Sequence, residues 1–368
     1  MDDDYEVKNF IKVWIIAIAS QCYCYHVAAR IPTKSMMRLI SLLTIFYLLV
    51  MLPLNLQSIH LGAPSAFFLG SLAIFKLLLF SFDSGPLSPP PARLFQFISI
   101  ALLPINIKQL PKKPCNGYTI TKVVRNKYVL WAMKALLLVV VVHVRKDYRH
   151  DLHPYILTAL SLSHLYLALE IRFALSVALP QALFGFELEP HFNEPYFSTS
   201  LQDFWGRRWN LVVSNTLRPL VYHPVRCIST TTSTGGTTSG PIVAAKPARA
   251  SVLPVISAFT VSGLMHELFF YYVTRVHPTG EMMCFFVLQG VCLAFELQVK
   301  KALAHKVRLH PLVSGLLTLV FLVVTTDWLF FPHIIRSGAD AKSLEECAST
   351  VDFVKTIVSY RINYVQKS

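Results

Sequence analysis

Long uninterrupted apolar segments dominate the chain. Eight of them come close to or exceed the roughly 20 residues that an α-helix needs to cross the hydrocarbon core of a bilayer. They predict an all-α, polytopic membrane protein with about eight transmembrane helices. The segments are Val13–Ala29, Leu39–Gly62, Ala66–Phe82, Tyr128–Val144, Tyr155–Phe173, Ser251–Thr274, Met282–Val299 and Leu312–Phe331.

Two further apolar pieces are too short or too broken to span. Leu94–Ile107 has Pro104 near its end, and Phe173–Phe186 contains Pro180 and Gly185. Apolar runs of this kind lie in the interface or re-enter the membrane. We expect them to form re-entrant or interfacial helices around an internal chamber.

One long polar segment, residues 188–250, interrupts this pattern. It is rich in aromatic and basic residues, and it contains the low-complexity tract Ser229–Gly240, which predicts a disordered insert. The tail beyond Pro332 is mixed in charge and predicts a solvated helix. We interpret residues 1–368 as a single membrane domain.

Composition and charge support a membrane location. Apolar residues make up 54% of the chain and charged residues 15%, whereas soluble domains average about 25% charged. The net charge of +14 comes from basic residues in short loops, a pattern typical of the positive-inside rule rather than of nucleic-acid binding. Lys108–Lys127 and Lys300–Arg308 contain no acidic residue, so both are expected in the cytosol with four crossings between them. Residues 188–250 then also face the cytosol, and both termini face the lumen.

The sequence gives little support for a disulfide framework, a zinc ribbon or a cleaved signal peptide. Seven cysteines are present, several of them inside apolar runs, and no C-x-x-C occurs. The chain opens with MDDDYEVK, which is acidic, and no cleavage-like site follows the first apolar run. That run is therefore expected to be retained as a membrane helix.

A histidine and a glutamate stand side by side in the sixth apolar run, within the sequence VSGLMHELFFYY. Ionisable groups in lipid are costly and are usually functional or paired, and imidazole suits proton transfer near neutral pH. His266 is therefore a candidate general base, although it could equally be a packing histidine. Glu267 points about 100° away on the helix and is not expected to orient His266. Glu267, Glu170 and Asp327 are candidates for the wall of the chamber.

The polar segment contains the sequence DFWGRRWN, Asp203–Asn210. Arg207 and Arg208 are suited to holding phosphate oxygens, and Trp205 and Trp209 would share one face of a helix. Such a site fits a nucleotide-bearing acyl carrier, with an interfacial amphipathic helix as the alternative.

Two other histidine patterns are weak. His143 and Asp147 match an H-x-x-x-D motif of some soluble acyltransferases, but five-residue matches are frequent. His150, His153 and the pair His305 and His310 are too few and too scattered for the di-iron centre of a membrane desaturase.

Several stretches resemble the plant wax synthases, also called long-chain-alcohol O-fatty-acyltransferases, of the membrane-bound O-acyltransferase superfamily. The resemblance runs nearly end to end. It is carried by IKVWIIAIASQCYCY (Ile11–Tyr25), FKLLLFSFDSGPLS (Phe75–Ser88), SLQDFWGRRWN (Ser200–Asn210), VSGLMHELFFYY (Val261–Tyr272) and PTGEMMCFFVLQGVC (Pro278–Cys292).

The resemblance implies an endoplasmic reticulum enzyme that moves a fatty acyl group from acyl-CoA to a hydroxyl. It assigns His266 as the catalytic base and Asn210 as the second signature residue. It also assigns an acyl-CoA-binding role to Asp203, Phe204, Trp205, Arg207, Arg208 and Trp209. No metal or bound cofactor is implied, and the partners are acyl-CoA, a lipid alcohol and the bilayer. Asp327 and the insert Ser229–Gly240 depart from the family pattern.

Three questions stay open at this point. The acceptor can be a fatty alcohol, a sterol or diacylglycerol, because the resemblance spans all three. Asn210 can donate to an oxyanion or position His266. A proton-coupled transporter using His266 and Glu267 is the rival from another class, although it does not explain the DFWGRRWN segment.

Overall fold

A computed structural model describes residues 3–32, 36–105, 117–148, 151–185, 188–232, 252–303 and 310–349. Within these ranges the regular structure is helical and no β-strand is present, which confirms the all-α prediction. The helices are α1 (Asp3–His26), α2 (Met36–Met51), α3 (Ile59–Phe67), α4 (Ile74–Ser81), α5 (Leu94–Leu102), α6 (Gly117–Asp147), α7 (Pro154–Phe184), α8 (Leu201–Asp203), α9 (Leu211–Leu217), α10 (His223–Thr232), α11 (Val252–Thr274), α12 (Glu281–Ala302), α13 (Pro311–Thr325) and α14 (Phe331–Arg336).

Seven helical segments in the described part of the chain are long and apolar enough to cross a membrane. They correspond to seven of the eight predicted runs. The segments are Asp4–Arg30, Met36–Asn55, Ile59–Ser81, Pro154–Phe184, Val252–Thr274, Glu281–Ala302 and Pro311–Arg336. The remaining run, Tyr128–Val144, lies inside the long helix α6, whose described end carries Arg145 and Lys146. The predicted sidedness stays a prediction, because much of the two basic loops lies outside the described residues.

The segment Ile59–Ser81 is the most deeply enclosed of the seven, with 78% of its most apolar stretch buried. It consists of α3 and α4 joined by a π-helical turn, Phe68–Ala73, which follows Pro64 inside α3. Proline has no backbone N–H to donate, so the regular hydrogen-bond ladder is interrupted there. A Cβ at Gly70 would lie 2.9 Å from the ring of Tyr272, so glycine lets α11 approach this turn.

The short apolar piece predicted to re-enter the membrane contains α5, which is only nine residues long. Lys76 is fully buried on α4, and its Nζ donates to the carbonyls of Ile100 and Leu103 at 2.7 and 2.6 Å. The last carbonyls of a helix lack partners within the helix. The lysine supplies those partners and fixes the end of α5 in the protein core.

The second short piece was predicted as a separate interfacial element, and that prediction is wrong. Phe173–Phe184 continues without interruption from the fifth apolar run as the second part of α7. Pro180 lies inside the helix and lacks the N–H that would donate to the carbonyl one turn earlier, yet the helix continues to Phe184. The helix ends only at Gly185, which adopts a left-handed conformation with φ of 65°.

Residues 188–232 form short helical segments that are packed into the membrane helices. Leu201 and Phe204 are buried in one cluster with Val255 of α11, Leu293 of α12 and Leu322 of α13. Helix α10 extends to Thr232, so the first four residues of the tract Ser229–Gly240 are helical. The rest of that predicted insert lies outside the described residues.

Candidate active site

A cavity of about 500 Å³ lies where residues 202–223 meet α11 and α12. Its walls are mainly aromatic and aliphatic, with a few polar groups, as is usual for small-molecule sites. The lining residues are Gln202, Trp205, Gly206, Trp209, Asn210, Val213, Ser214, Leu217, Arg218, Tyr222, His223, Val255, Ala258, Phe259, Ser262, His266, Phe286, Leu293 and Leu297. The two candidate catalytic residues therefore share one cavity.

His266 is held in a defined orientation. Its Nδ1 lies 2.7 Å from the carbonyl oxygen of Ser262, one turn earlier on α11, and the ring stacks on Phe286 at a centroid distance of 4.0 Å. A carbonyl only accepts, so Nδ1 carries the proton in the neutral ring. The lone pair is then on Nε2, which is the arrangement a general base requires.

Asn210 reaches the cavity through an unusual backbone conformation. Its φ of 41° and ψ of 65° place it in the left-handed region, where asparagine is tolerated better than most residues. It precedes α9, and its side-chain Oδ1 accepts from the backbone N–H of Val213. With the oxygen used as a helix cap, the amide nitrogen is the group that can donate into the cavity.

The two tryptophans do not lie four residues apart on an α-helix, as the sequence suggested. Phe204–Arg208 is a π-helical turn, and Trp209 is extended at its end. Both tryptophans still line the cavity, with ring centroids 6.5 Å apart. Phe204 is buried and stacks on Trp209, so it supports the wall from behind.

The two arginines of the motif differ in their surroundings. Arg208 pairs with Asp203 at 2.7 Å and donates to the carbonyls of Asn193 and Glu194. Arg208 and Asp203 are therefore engaged in holding the turn, and the predicted phosphate contact of Arg208 competes with these bonds. Arg207 is exposed and follows Gly206, which lines the cavity.

The three acidic candidates for the chamber wall do not line this cavity. Glu267 is buried and accepts from the backbone N–H of Met283 at 3.1 Å, in the first turn of α12. Glu170 pairs with Lys134 at 2.7 Å, and Asp327 accepts from the hydroxyl of Thr158. Each carboxylate has a partner on a neighbouring helix, which explains how it is accommodated in an apolar environment.

Comparison with known proteins places the chain in a family. Residues 188–288 match a model of the membrane bound O-acyl transferase family. The long-chain-alcohol O-fatty-acyltransferase of Simmondsia chinensis is 44% identical over 349 residues, covering 94% of this chain and 95% of the relative. Probable long-chain-alcohol O-fatty-acyltransferase 3 of Arabidopsis thaliana is 43% identical over 95% of this chain and 96% of its own length. The chain belongs to the long-chain-alcohol O-fatty-acyltransferase family.

Membership makes this protein an O-acyltransferase, and the transporter alternative loses its main support. That alternative depended on a proton relay between His266 and Glu267. In this acyltransferase the carboxylate of Glu267 is instead directed to the backbone of α12. The resemblance stated from the sequence is confirmed.

Three residues that support the site were not singled out in the sequence. Phe286 stacks on His266, and Gln289 is fully buried and accepts from the indole N–H of Trp205 at 3.2 Å. Arg218 lines the cavity and donates to the carbonyl of Gly206 at 2.6 Å. Phe286 and Gln289 stand in the family-like stretch Pro278–Cys292. The polar side chain of Gln289 in an apolar run is the sequence feature that could have indicated a role in the site.

The weaker histidine patterns lie elsewhere in the acyltransferase. His143 and Asp147 form an exposed i,i+4 pair on α6. His153 and His310 cap the N-termini of α7 and α13, while His150 and His305 lie outside the described residues. Among the residues that the structure describes, no group of three or more His, Cys, Asp or Glu side chains is arranged to hold a metal ion.

Proposed function

We propose that this acyltransferase moves a fatty acyl group from acyl-CoA to the hydroxyl of a long-chain alcohol and so forms a wax ester. The observation that carries the proposal is that His266 and Asn210 line one largely apolar cavity. Relatives of 43–44% identity bear the name long-chain-alcohol O-fatty-acyltransferase, which favours a linear alcohol as the acceptor. The enzyme acts in the endoplasmic reticulum membrane as a multi-pass protein.

His266 acts as the general base. An alcohol attacks a thioester efficiently only when its proton is removed as the new bond forms, and neutral imidazole accepts that proton on Nε2. The hydrogen bond from Nδ1 to Ser262 and the stacking on Phe286 keep Nε2 in a fixed direction. Because CoA thiolate is a good leaving group, no covalent acyl-enzyme is required in this reaction.

Asn210 stabilises the oxyanion that develops on the thioester carbonyl. A preorganised donor at such a position contributes about 2.7–4 kcal/mol to lowering the barrier. The cap to Val213 holds the amide so that its nitrogen is the available donor. The CoA phosphates contact Arg207, with Arg218 nearby, because these side chains stand beside Gly206 while Arg208 is engaged with Asp203.

A competition assay tests the acceptor. Microsomes that contain the protein receive one labelled acyl-CoA together with a long-chain primary alcohol, a sterol and diacylglycerol, and the neutral lipids are separated. Wax ester is the expected main product. If steryl ester or triacylglycerol predominates, the proposed acceptor is wrong and the acyl-transfer mechanism is retained. If all esters and the release of CoA stay at background levels, the proposed acyltransferase reaction itself is wrong.

Substitution of the base tests the mechanism in the same membranes. We expect His266→Ala to abolish ester formation at an unchanged protein level, because the imidazole that Ser262 and Phe286 hold in a fixed orientation is lost. Asn210→Ala should retain more activity, since the base is still present. Turnover of His266→Ala close to that of the native protein would exclude His266 as the base.

A further inference from the structure

A second cluster of reactive side chains lies where the helical segment 339–349 contacts α3 and α7. Its centre is Cys347, which is buried. Its Sγ lies 3.6 Å from Nε2 of His60 on α3 and 3.5 Å from Nε2 of His164 on α7. None of these three residues lines the cavity that contains His266. The cluster therefore forms a separate chemical environment.

The hydrogen bonds fix where the protons of His164 lie. Arg145 of α6 contacts Nδ1 of His164, and a guanidinium has only donors, so Nδ1 must accept. The ring proton is then on Nε2, directed at the sulfur of Cys347. Arg145 is itself paired with Asp340 at 2.6 Å, so its charge is balanced. The sulfur consequently acts as a hydrogen-bond acceptor from His164.

Glu346 fixes the protonation of His60. Its Oε2 lies 2.6 Å from Nδ1 of His60, and the carboxylate also accepts from the backbone N–H groups of Ile59 and His60 at 3.0 and 2.8 Å. Burial by itself raises the pKa of Glu346, but these hydrogen bonds outweigh it and hold the pKa at about 2. The carboxylate therefore stays ionised and favours an imidazolium at His60, with a second N–H toward the sulfur.

These donors favour the thiolate form of Cys347. Burial by itself raises the pKa of the thiol, but the hydrogen bonds from His164 and His60 outweigh it and lower the pKa to about 6. The partly buried Arg172 of α7 lies close enough to Glu346 and Cys347 to interact with both electrostatically. Thiolates in such electropositive surroundings are the nucleophilic form of cysteine.

We propose that Cys347 is a nucleophilic site, separate from the cavity of His266, which accepts an acyl group from a fatty acyl thioester. The geometry supplies an imidazole and a carboxylate in the order that activated cysteine nucleophiles use. On its other side Cys347 packs with the apolar residues Val142 and Leu344, and the partly buried Leu138 and Ala348 pack against this cluster. That apolar surface suits a fatty chain. The acyl donor in this inference rests on the proposed function.

The transfer is balanced without an added reactant. The Cys347 thiolate attacks the carbonyl carbon of the thioester, a new carbon–sulfur bond forms, and the carbon–sulfur bond of the donor breaks. The leaving thiolate keeps its electron pair and takes a proton from water. One thioester is exchanged for another, so no oxidant or reductant is involved.

Labelling with an alkyne-tagged fatty acyl-CoA in microsomes tests the acylation. We expect a hydroxylamine-sensitive label on the native protein, on His266→Ala and on Cys22→Ser, a control at a half-buried cysteine of α1. The label should be lost in Cys347→Ser, which keeps a hydrogen-bonding side chain but has no thiol. A label that persists in Cys347→Ser would overturn the inference. Ester formation without any label would also overturn it and leave the proposed function intact, whereas a label without ester would count against the proposed function alone.

The pH dependence of alkylation tests the activated thiolate without any acyl donor. Iodoacetamide modification of Cys347, followed by peptide mass spectrometry, should reach half of its maximal rate near pH 6, compared with about 8.5 for an ordinary cysteine. His60→Gln keeps a partner for Glu346 but removes the positive charge, so the midpoint should rise. A midpoint near 8.5 in the native protein would show that the cluster serves only to attach the segment 339–349.

Discussion

Replacement of Gln289 by methionine tests how the cavity wall is positioned. Gln289 is fully buried on α12, its Oε1 accepts from the indole of Trp205, and its Nε2 donates to the hydroxyl of Thr325 at 2.9 Å. Trp205 contacts Phe286 at a ring-centroid distance of 5.9 Å, and Phe286 stacks on His266. Methionine has a similar length but removes both hydrogen bonds.

The size of the effect follows from the group that loses its partner. The indole N–H of Trp205 would be left without its acceptor, which costs about 1–3 kcal/mol for a buried donor. Thr325 still donates to the carbonyl of Phe321 at 2.8 Å, so its contribution is smaller. If Trp205 turns to find another acceptor, the wall next to Phe286 changes. Returning the indole to its native position for the reaction then costs up to the same free energy, so we expect kcat/KM to fall by up to roughly 150-fold.

A double-mutant cycle separates this effect from general damage. Trp205→Phe removes the same N–H from the other side, and the variant with both substitutions should lose about as much activity as the worse single variant. Initial rates of ester formation at matched protein levels give kcat and KM for the acceptor. Gln298→Met, at an exposed position of α12, is the matched control. Losses that multiply in the double variant, or native kcat/KM in Gln289→Met, would refute the reasoning.

Two further predictions concern stability. Glu267→Gln keeps an acceptor for the N–H of Met283 but removes the negative charge near the start of α12. The free energy of unfolding of the detergent-solubilised protein should therefore fall by about 1 kcal/mol, while ester formation persists. If Glu267→Gln instead loses as much activity as His266→Ala at an unchanged melting temperature, Glu267 takes part in the acyl-transfer reaction. Lys76→Met removes the donor to two carbonyls at the end of α5. It should lower the melting temperature more than the control Lys146→Met, which changes an exposed lysine. Equal melting temperatures of the two variants would contradict the role of Lys76 in fixing the end of α5.

The transmembrane character and the main catalytic candidates could be predicted from the sequence because both depend on local features. Apolar length decides which segments can cross a membrane, and seven of the eight predicted runs form such helices. His266 stands out because a titratable group in an apolar helix is costly and needs a reason. Family-like motifs then pointed to Asn210, which lies in the same cavity.

The roles of the other polar residues were decided by partners that are distant in the chain. Arg208 was predicted to bind phosphate, and the structure adds that the backbone carbonyls of Asn193 and Glu194 compete for its guanidinium. Glu267 looked like part of a proton relay, but it accepts from the first turn of the next helix. Hydrogen-bonding capacity can be read from a residue type, whereas the choice of partner requires the fold.

The cluster at Cys347 illustrates the same limit most clearly. His60, His164 and Cys347 stand on three separate elements, and no spacing in the sequence relates them. The amino-acid sequence determined that this chain lies in a membrane and which histidine could act as a base. Only the tertiary structure decided which charged and polar groups meet, because burial forces each of them to find a partner wherever packing brings one within reach.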